Sequence, residues 1–191
     1  MGDLITDIYV INYFKMFDIK KKFLIYELIS LALSVFITHK IINLPRYDFI
    51  DREMSVYIKS LCKEFDVDSD LVFGILMTEN ETFNINAINK NSNGTLDCGL
   101  FQLNDKYLWT TFKNDYWDKD VELNPFNWKH NSYIAIKHIR YLQKNLESRD
   151  KVIMAYNCGI TAVFKNKVPI RTKSYLTKVN YNIDTLKNKK R

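Results

Sequence analysis

Apolar residues recur at helical spacing in most of the chain, and short polar stretches separate the recurrences. From Asp51 to Phe65, the positions Val56, Ile58, Leu61, Cys62 and Phe65 predict a first helix. Asp66 to Asp70 breaks it and supplies N-cap residues for the next. In that second helix Leu71, Val72, Ile75 and Leu76 form one stripe, and Glu79 falls next on it. Asn84 to Thr95 reads as a surface loop with a short hairpin at Asn93-Gly94. The aromatics Trp109, Phe112, Tyr116 and Trp117 stand in irregular sequence, where they cap a core or wall a groove. Asn124 to Asn127 opens a long helix with the stripe Ala135, Ile139, Leu142 and Leu146. A shorter helix spans Arg149 to Cys158 with Val152, Ile153 and Tyr156 on one face, and Gly159 is placed to stop it. Pro169, Thr172 and Tyr175 lead into a last helix through Val179. The fold class this predicts is mainly α, with one short hairpin and loop region.

The N-terminal 45 residues have a different pattern. Lys20-Lys21-Lys22 precedes an apolar run from Phe23 to Thr38 broken by Glu27. Such a run is short for a membrane span, which needs about twenty residues, and long enough for a signal-peptide core. Positive charge before it predicts that the chain beyond the run lies outside the cytoplasm. Residues 1–45 are therefore expected to be a signal peptide or membrane-anchor helix, the anchor being slightly favoured, and 46–191 the folded domain. Ala32-Leu33-Ser34 is a weak cleavage motif, and Met16 would serve as an alternative start with a conventional basic segment behind it.

Composition adds little to this picture: the chain is 47% hydrophobic, with only 5 Gly and 3 Pro to interrupt helices. Net charge is +6, concentrated in part at Lys20 to Lys22 and in the tail Lys187 to Arg191. Charge alone admits nucleic-acid binding, but no basic helix, zinc-finger spacing or RNA-binding motif accompanies it, so no nucleic-acid partner is expected. The three cysteines, Cys62, Cys98 and Cys158, form no CxxC, which removes a recognisable zinc site. Cys62 falls on an apolar stripe as a core thiol. For Cys98 and Cys158, two free thiols are preferred over a disulfide.

Glu79 is the residue most suggestive of chemistry. At the C-terminal end of an apolar helix, a core-facing carboxyl is partly desolvated and meets the negative end of the helix dipole; both raise its pKa, as a general acid at neutral pH requires. Tyr156 points inward, where its hydroxyl needs a partner: either a backbone carbonyl or Glu79.

Four strings stand in order: Glu79-Asn80 with Phe83-Asn84 and Ala87; Gly99-Leu100-Phe101-Gln102; Asn124-Pro125 with Asn127; and Ala155-Tyr156-Asn157-Cys158-Gly159 followed by Pro169, Thr172 and Tyr175. Together they resemble the soluble lytic transglycosylase family, lysozyme-like enzymes that cleave peptidoglycan glycan strands, over residues 51–180. The resemblance implies a lysozyme-like helical domain and a glycan groove, with no metal and no organic cofactor. It implies Glu79 as the catalytic acid/base and Tyr156 as the tyrosine that supports it. Substrate contacts fall to Asn80, Phe101, Gln102, Asn157 and Tyr175. The implied partners are peptidoglycan strands, the inner membrane through the N-terminal segment, and cell-envelope machinery, in a periplasmic or envelope location.

The chain departs from the family pattern at Asn80, where Ser is usual, at Phe101 for Met, and at Cys158 for Ala. An extra residue between Glu79 and Phe83 also makes Glu81 a rival in alignment; helix periodicity favours Glu79. Two other readings stay open: a hydrolytic muramidase using Asp97 to position water, and a non-catalytic, membrane-tethered wall-binding protein.

Overall fold

The computed structural model describes residues 25–32, 50–112 and 121–188. It divides into two units, Met1–Arg46 and Tyr47–Arg191. In the first, residues 25–32 are helical with exposed side chains; the rest of the expected signal or anchor, and the aromatics Tyr116 and Trp117, lie outside the described residues. Among the described residues, no helix is long and apolar enough to cross a membrane.

The second unit is helical with one small sheet. Its helices are α1 (Arg52–Glu64), α2 (Ser69–Glu79), α3 (Leu108–Phe112), α4 (Trp128–Asn145), α5 (Arg149–Cys158), α6 (Ile160–Phe164) and α7 (Ile170–Asn188). The caps are the polar residues between the apolar stripes. Asp51 accepts from the amides of Glu53 and Met54, Asp68 from Asp70, Asn127 from Lys129 and His130, and Ser148 from Lys151. On α1 the buried face is Ser55, Ile58, Leu61 and Cys62, while Val56 is exposed. Val56 lies two positions from Ile58, about 200° around the helix, so it cannot share that face.

Helix α2 is the centre of the core. Residues Asp70 to Leu76 are buried on every side of it, the mark of a helix surrounded by others rather than lying on the surface. Helix α7 packs against it so closely that a Cβ on Gly74 would stand 2.6 Å from Ile183 Cγ1. The expected last helix ends near Val179, yet α7 continues to Asn188 because Val179, Asn182, Ile183 and Leu186 extend the buried stripe for two more turns.

Strands β1 (Ile88–Lys90), β2 (Leu96–Cys98) and β3 (Leu103–Asn104) form an antiparallel sheet in the order β1-β2-β3. Ile88 pairs with Cys98, and Cys98 with Leu103. The β1–β2 hairpin turns at Asn93-Gly94 as expected. Gly94 has φ +80°, and Asn93 Oδ1 accepts from the amide and hydroxyl of Thr95. Strand β3 and the short helices α3 and α6 were not legible in the pattern, being too short to show a period. Gly159 closes α5 with φ +82°, as expected, and leads directly into α6. All three cysteines are free; burial pushes the Cys62 thiol up to about 12.

Candidate active site

Glu79 is the last residue of α2, where that buried helix reaches the surface. The residue is half-buried, with its carboxyl turned into protein. Tyr175, from the second turn of α7, donates its hydroxyl to Glu79 Oε1 at 2.7 Å. Burial pushes the Glu79 pKa from 4.5 to about 7. The Tyr175 hydrogen bond opposes this rise, the nearby negative charge of Asp97 adds to it, and Lys178 opposes it. Burial holds Tyr175 well above the ordinary phenol value, followed by the Glu79 charge, so it remains a neutral donor.

The rivalry between two glutamates is resolved by their surroundings. Glu81 lies on the exposed turn after α2 and is ion-paired with Lys178, whose hydrogen bond holds its carboxyl below the usual range. Glu79 alone of the two is shielded.

The turn from Gly99 to Gln102 follows directly on β2, the strand that carries Asp97. Gly99 has φ +74°, and a Cβ there would stand 2.2 Å from the Pro125 carbonyl oxygen and 2.5 Å from Asn131 Nδ2, so only glycine fits. Asn131, fully buried on α4, holds the turn: its Nδ2 donates to the carbonyls of Cys98 and Pro125, each at 3.0 Å, and its Oδ1 accepts from Phe101 N at 2.8 Å. Asn131 was missed in the sequence; the available signal was an amide inside an otherwise core-facing helix turn.

Tyr156 is buried and donates to the Phe101 carbonyl at 3.0 Å. The backbone alternative therefore holds, and the tyrosine bonded to Glu79 is Tyr175. Tyr156 still lies near enough to feel the charges of Glu79 and Asp97, which add to the effect of burial in raising its pKa. Phe101, expected at the substrate, is fully buried; its side chain serves the core and its carbonyl serves Tyr156. Asn80, also expected there, is buried with its amide engaged locally. Its Nδ2 donates to Asn84 O, and its Oδ1 accepts from Asn84 N and Thr82 Oγ1. It closes the extra-residue turn after α2 instead of facing a ligand.

Gln102 and Asn157 remain accessible. Gln102 is half-buried with φ +49°, and its Nε2 donates to Gly99 O at 2.8 Å and Ala87 O at 3.4 Å. Its carbonyl oxygen is left as an acceptor. Asn157 is exposed; its Oδ1 accepts from Thr172 Oγ1 at 2.7 Å, which orients its amide nitrogen as a donor. Asp97, on β2, is oriented by Asn104, whose Nδ2 donates to Asp97 Oδ1 at 2.8 Å and to Thr95 Oγ1 at 2.9 Å. No group of three or more His, Cys, Asp or Glu side chains able to hold a metal occurs among the described residues.

The Transglycosylase SLT domain family matches the chain over residues 56–177, nearly two-thirds of its length, a span that includes Glu79, Asp97, Gln102, Asn131, Tyr156, Asn157 and Tyr175. The chain belongs to that family. No curated protein matches it. The SLT domain assigns it to the lysozyme-like lytic transglycosylases, whose activity is on peptidoglycan. Within this SLT domain α2 delivers a shielded carboxyl, α7 its hydrogen-bond donor, and α4 and α5 together fix the Gly99–Gln102 turn.

Proposed function

We propose that this protein is a lytic transglycosylase that uses Glu79 alone as acid and base. The observation that carries the reading is the Glu79 carboxyl, shielded at the end of α2, bonded to Tyr175 and with a pKa of about 7. Protonated Glu79 donates to the oxygen of the β-1,4 bond between N-acetylmuramic acid and N-acetylglucosamine as positive charge develops at C1. The N-acetylglucosamine chain leaves with that proton. The Glu79 carboxylate then accepts the proton of the muramoyl C6 hydroxyl as its oxygen bonds to C1, giving a 1,6-anhydro end. The nucleophile belongs to the same sugar ring, so proximity replaces a second protein carboxylate. Gln102 offers a carbonyl acceptor and Asn157 an amide donor to sugar hydroxyl and N-acetyl groups. Residues 1–45 serve as signal or inner-membrane anchor, which puts the domain in the periplasm or cell envelope beside its substrate and the machinery that opens the wall.

The test is mass spectrometry of fragments released from purified peptidoglycan by the wild-type chain and by Glu79→Gln. Anhydromuramoyl ends that disappear with the variant support the proposal. Reducing muramoyl ends would show hydrolysis, the reading favoured by the fixed Asp97 carboxylate near Glu79. Binding without release by the wild type would reduce the role to wall attachment.

A further inference from the structure

The connection from α6 to α7 combines two features that a solvated turn does not require. Its large apolar side chains point outward: Phe164 is 62% exposed and Ile170 83%. It is also strongly basic. Lys165, Lys167, Arg171 and Lys173 are all exposed, and no Asp or Glu occurs anywhere from Lys151 to Ile183. Lys151 and Lys178, at the margins of this acid-free stretch, are neutralised by Glu147 and Glu81. The four central cations make no ion pair among the described residues.

The exposure does not come from a frayed turn. Lys165 N donates to Thr161 O, Asn166 N to Val163 O, and Lys167 N to Ala162 O, while Asn166 sits at φ +51°. This is a hydrogen-bonded helix close of the kind that holds its side chains in place. Val163 beneath it is buried, and Thr172 and Tyr175 just beyond it are fastened to Asn157 and Glu79. The fold thus fixes an outward aromatic and an outward aliphatic side chain among unpaired cations.

We propose that the α6–α7 connection docks on an anionic lipid surface, Phe164 and Ile170 entering the headgroup boundary while Lys165, Lys167, Arg171 and Lys173 meet lipid phosphates. Large apolar tips ringed by Lys and Arg suit a bilayer interface. A glycan strand would instead be met by amide and hydroxyl side chains, of which Phe164 to Ile170 holds only Asn166. The contact does not depend on the chemistry at Glu79. It would place the active-site edge of α7 close to the membrane.

Hydrogen exchange of the full chain, read on peptides covering residues 159–175, tests this on vesicles of phosphatidylcholine with and without phosphatidylglycerol. Exchange should slow on the anionic vesicles only. Phe164→Ser with Ile170→Ser should abolish the slowing, and Lys165→Gln, Lys167→Gln and Lys173→Gln together should weaken the loop's partition about tenfold or more. Both variants should melt like the wild type in buffer and keep its activity on soluble wall fragments. Unchanged exchange on anionic vesicles overturns the proposal. So does equal protection on neutral vesicles, which would reflect the N-terminal segment. Loss of activity on soluble fragments would instead make the loop a substrate contact and also overturn it.

Discussion

A carboxyl poised near neutrality at Glu79 depends on opposed influences whose removal has a definite sign. Burial and Asp97 favour the protonated acid; Tyr175 and Lys178 favour the anion. An enzyme that needs the protonated form loses activity as pH rises through about 7. Tyr175→Phe removes a bond to the anion, so the Glu79 pKa should move upward and the alkaline fall of kcat/KM should shift to higher pH. Its maximum should still drop, by about tenfold, because the carboxyl loses its orientation. A pH–rate profile of both proteins checks the shift; a downward shift would show that Tyr175 does not donate to the working carboxyl. The residue scale also corrects the expected roles of three side chains. Tyr156, Phe101 and Asn80 are internal fastenings, while Gln102 and Asn157 keep polar atoms available to a ligand.

Between elements, the decisive contact is α4 against the Gly99–Gln102 turn. Three hydrogen bonds from one fully buried amide join Cys98, Phe101 and Pro125, segments that share no secondary-structure ladder at that point. Asn131→Ala would leave a buried N–H and two carbonyls to find other partners, at about 1–3 kcal/mol for each group left unsatisfied. The variant should lose about 3 kcal/mol or more in denaturant unfolding and should also fall in kcat, since Gln102 rides on the same turn. Unaltered stability would mean that water replaces the amide without penalty. This contact was hidden in the sequence because a stripe records which face is buried, not that one polar member of that face meets a loop thirty residues away. The capping segments Asp66 to Asp70 and Asn124 to Asn127, by contrast, were legible, because Asp68 and Asn127 bond to amides within three residues of themselves.

For the whole molecule, a carboxyl with a raised pKa is a stability cost that depends on pH. The unfolded chain ionises Glu79 near 4.5 while the folded one keeps the proton to about 7, so the folded state binds more protons between these values. Stability from this group therefore falls as pH rises from 4.5 to 7 and is constant above; the total is of order 3 kcal/mol. Glu79→Gln removes the titration. It should leave the melting temperature unchanged near pH 4 and raise it at pH 8, which calorimetry at the two values measures. An equal effect at both would place the Glu79 carboxyl in solvent. The family match over residues 56–177 lies within the helical unit Tyr47–Arg191.

The sequence by itself determined the order of the longer helices, the capping stretches before α2 and α4, the hairpin turn and the choice of Glu79 as the residue to examine. These follow from periodicity and from bonds between near neighbours, which operate within a few residues of chain. Tertiary structure alone decided that Tyr175 rather than Tyr156 meets Glu79, that Asn131 holds the Gly99 turn, and that Phe101 and Asn80 turn inward. Glu79 and Tyr175 stand 96 positions apart. The choice between the two tyrosines belongs to the packing of α7 on α2, where Gly74 lets Ile183 approach and Tyr175 donates to the carboxyl.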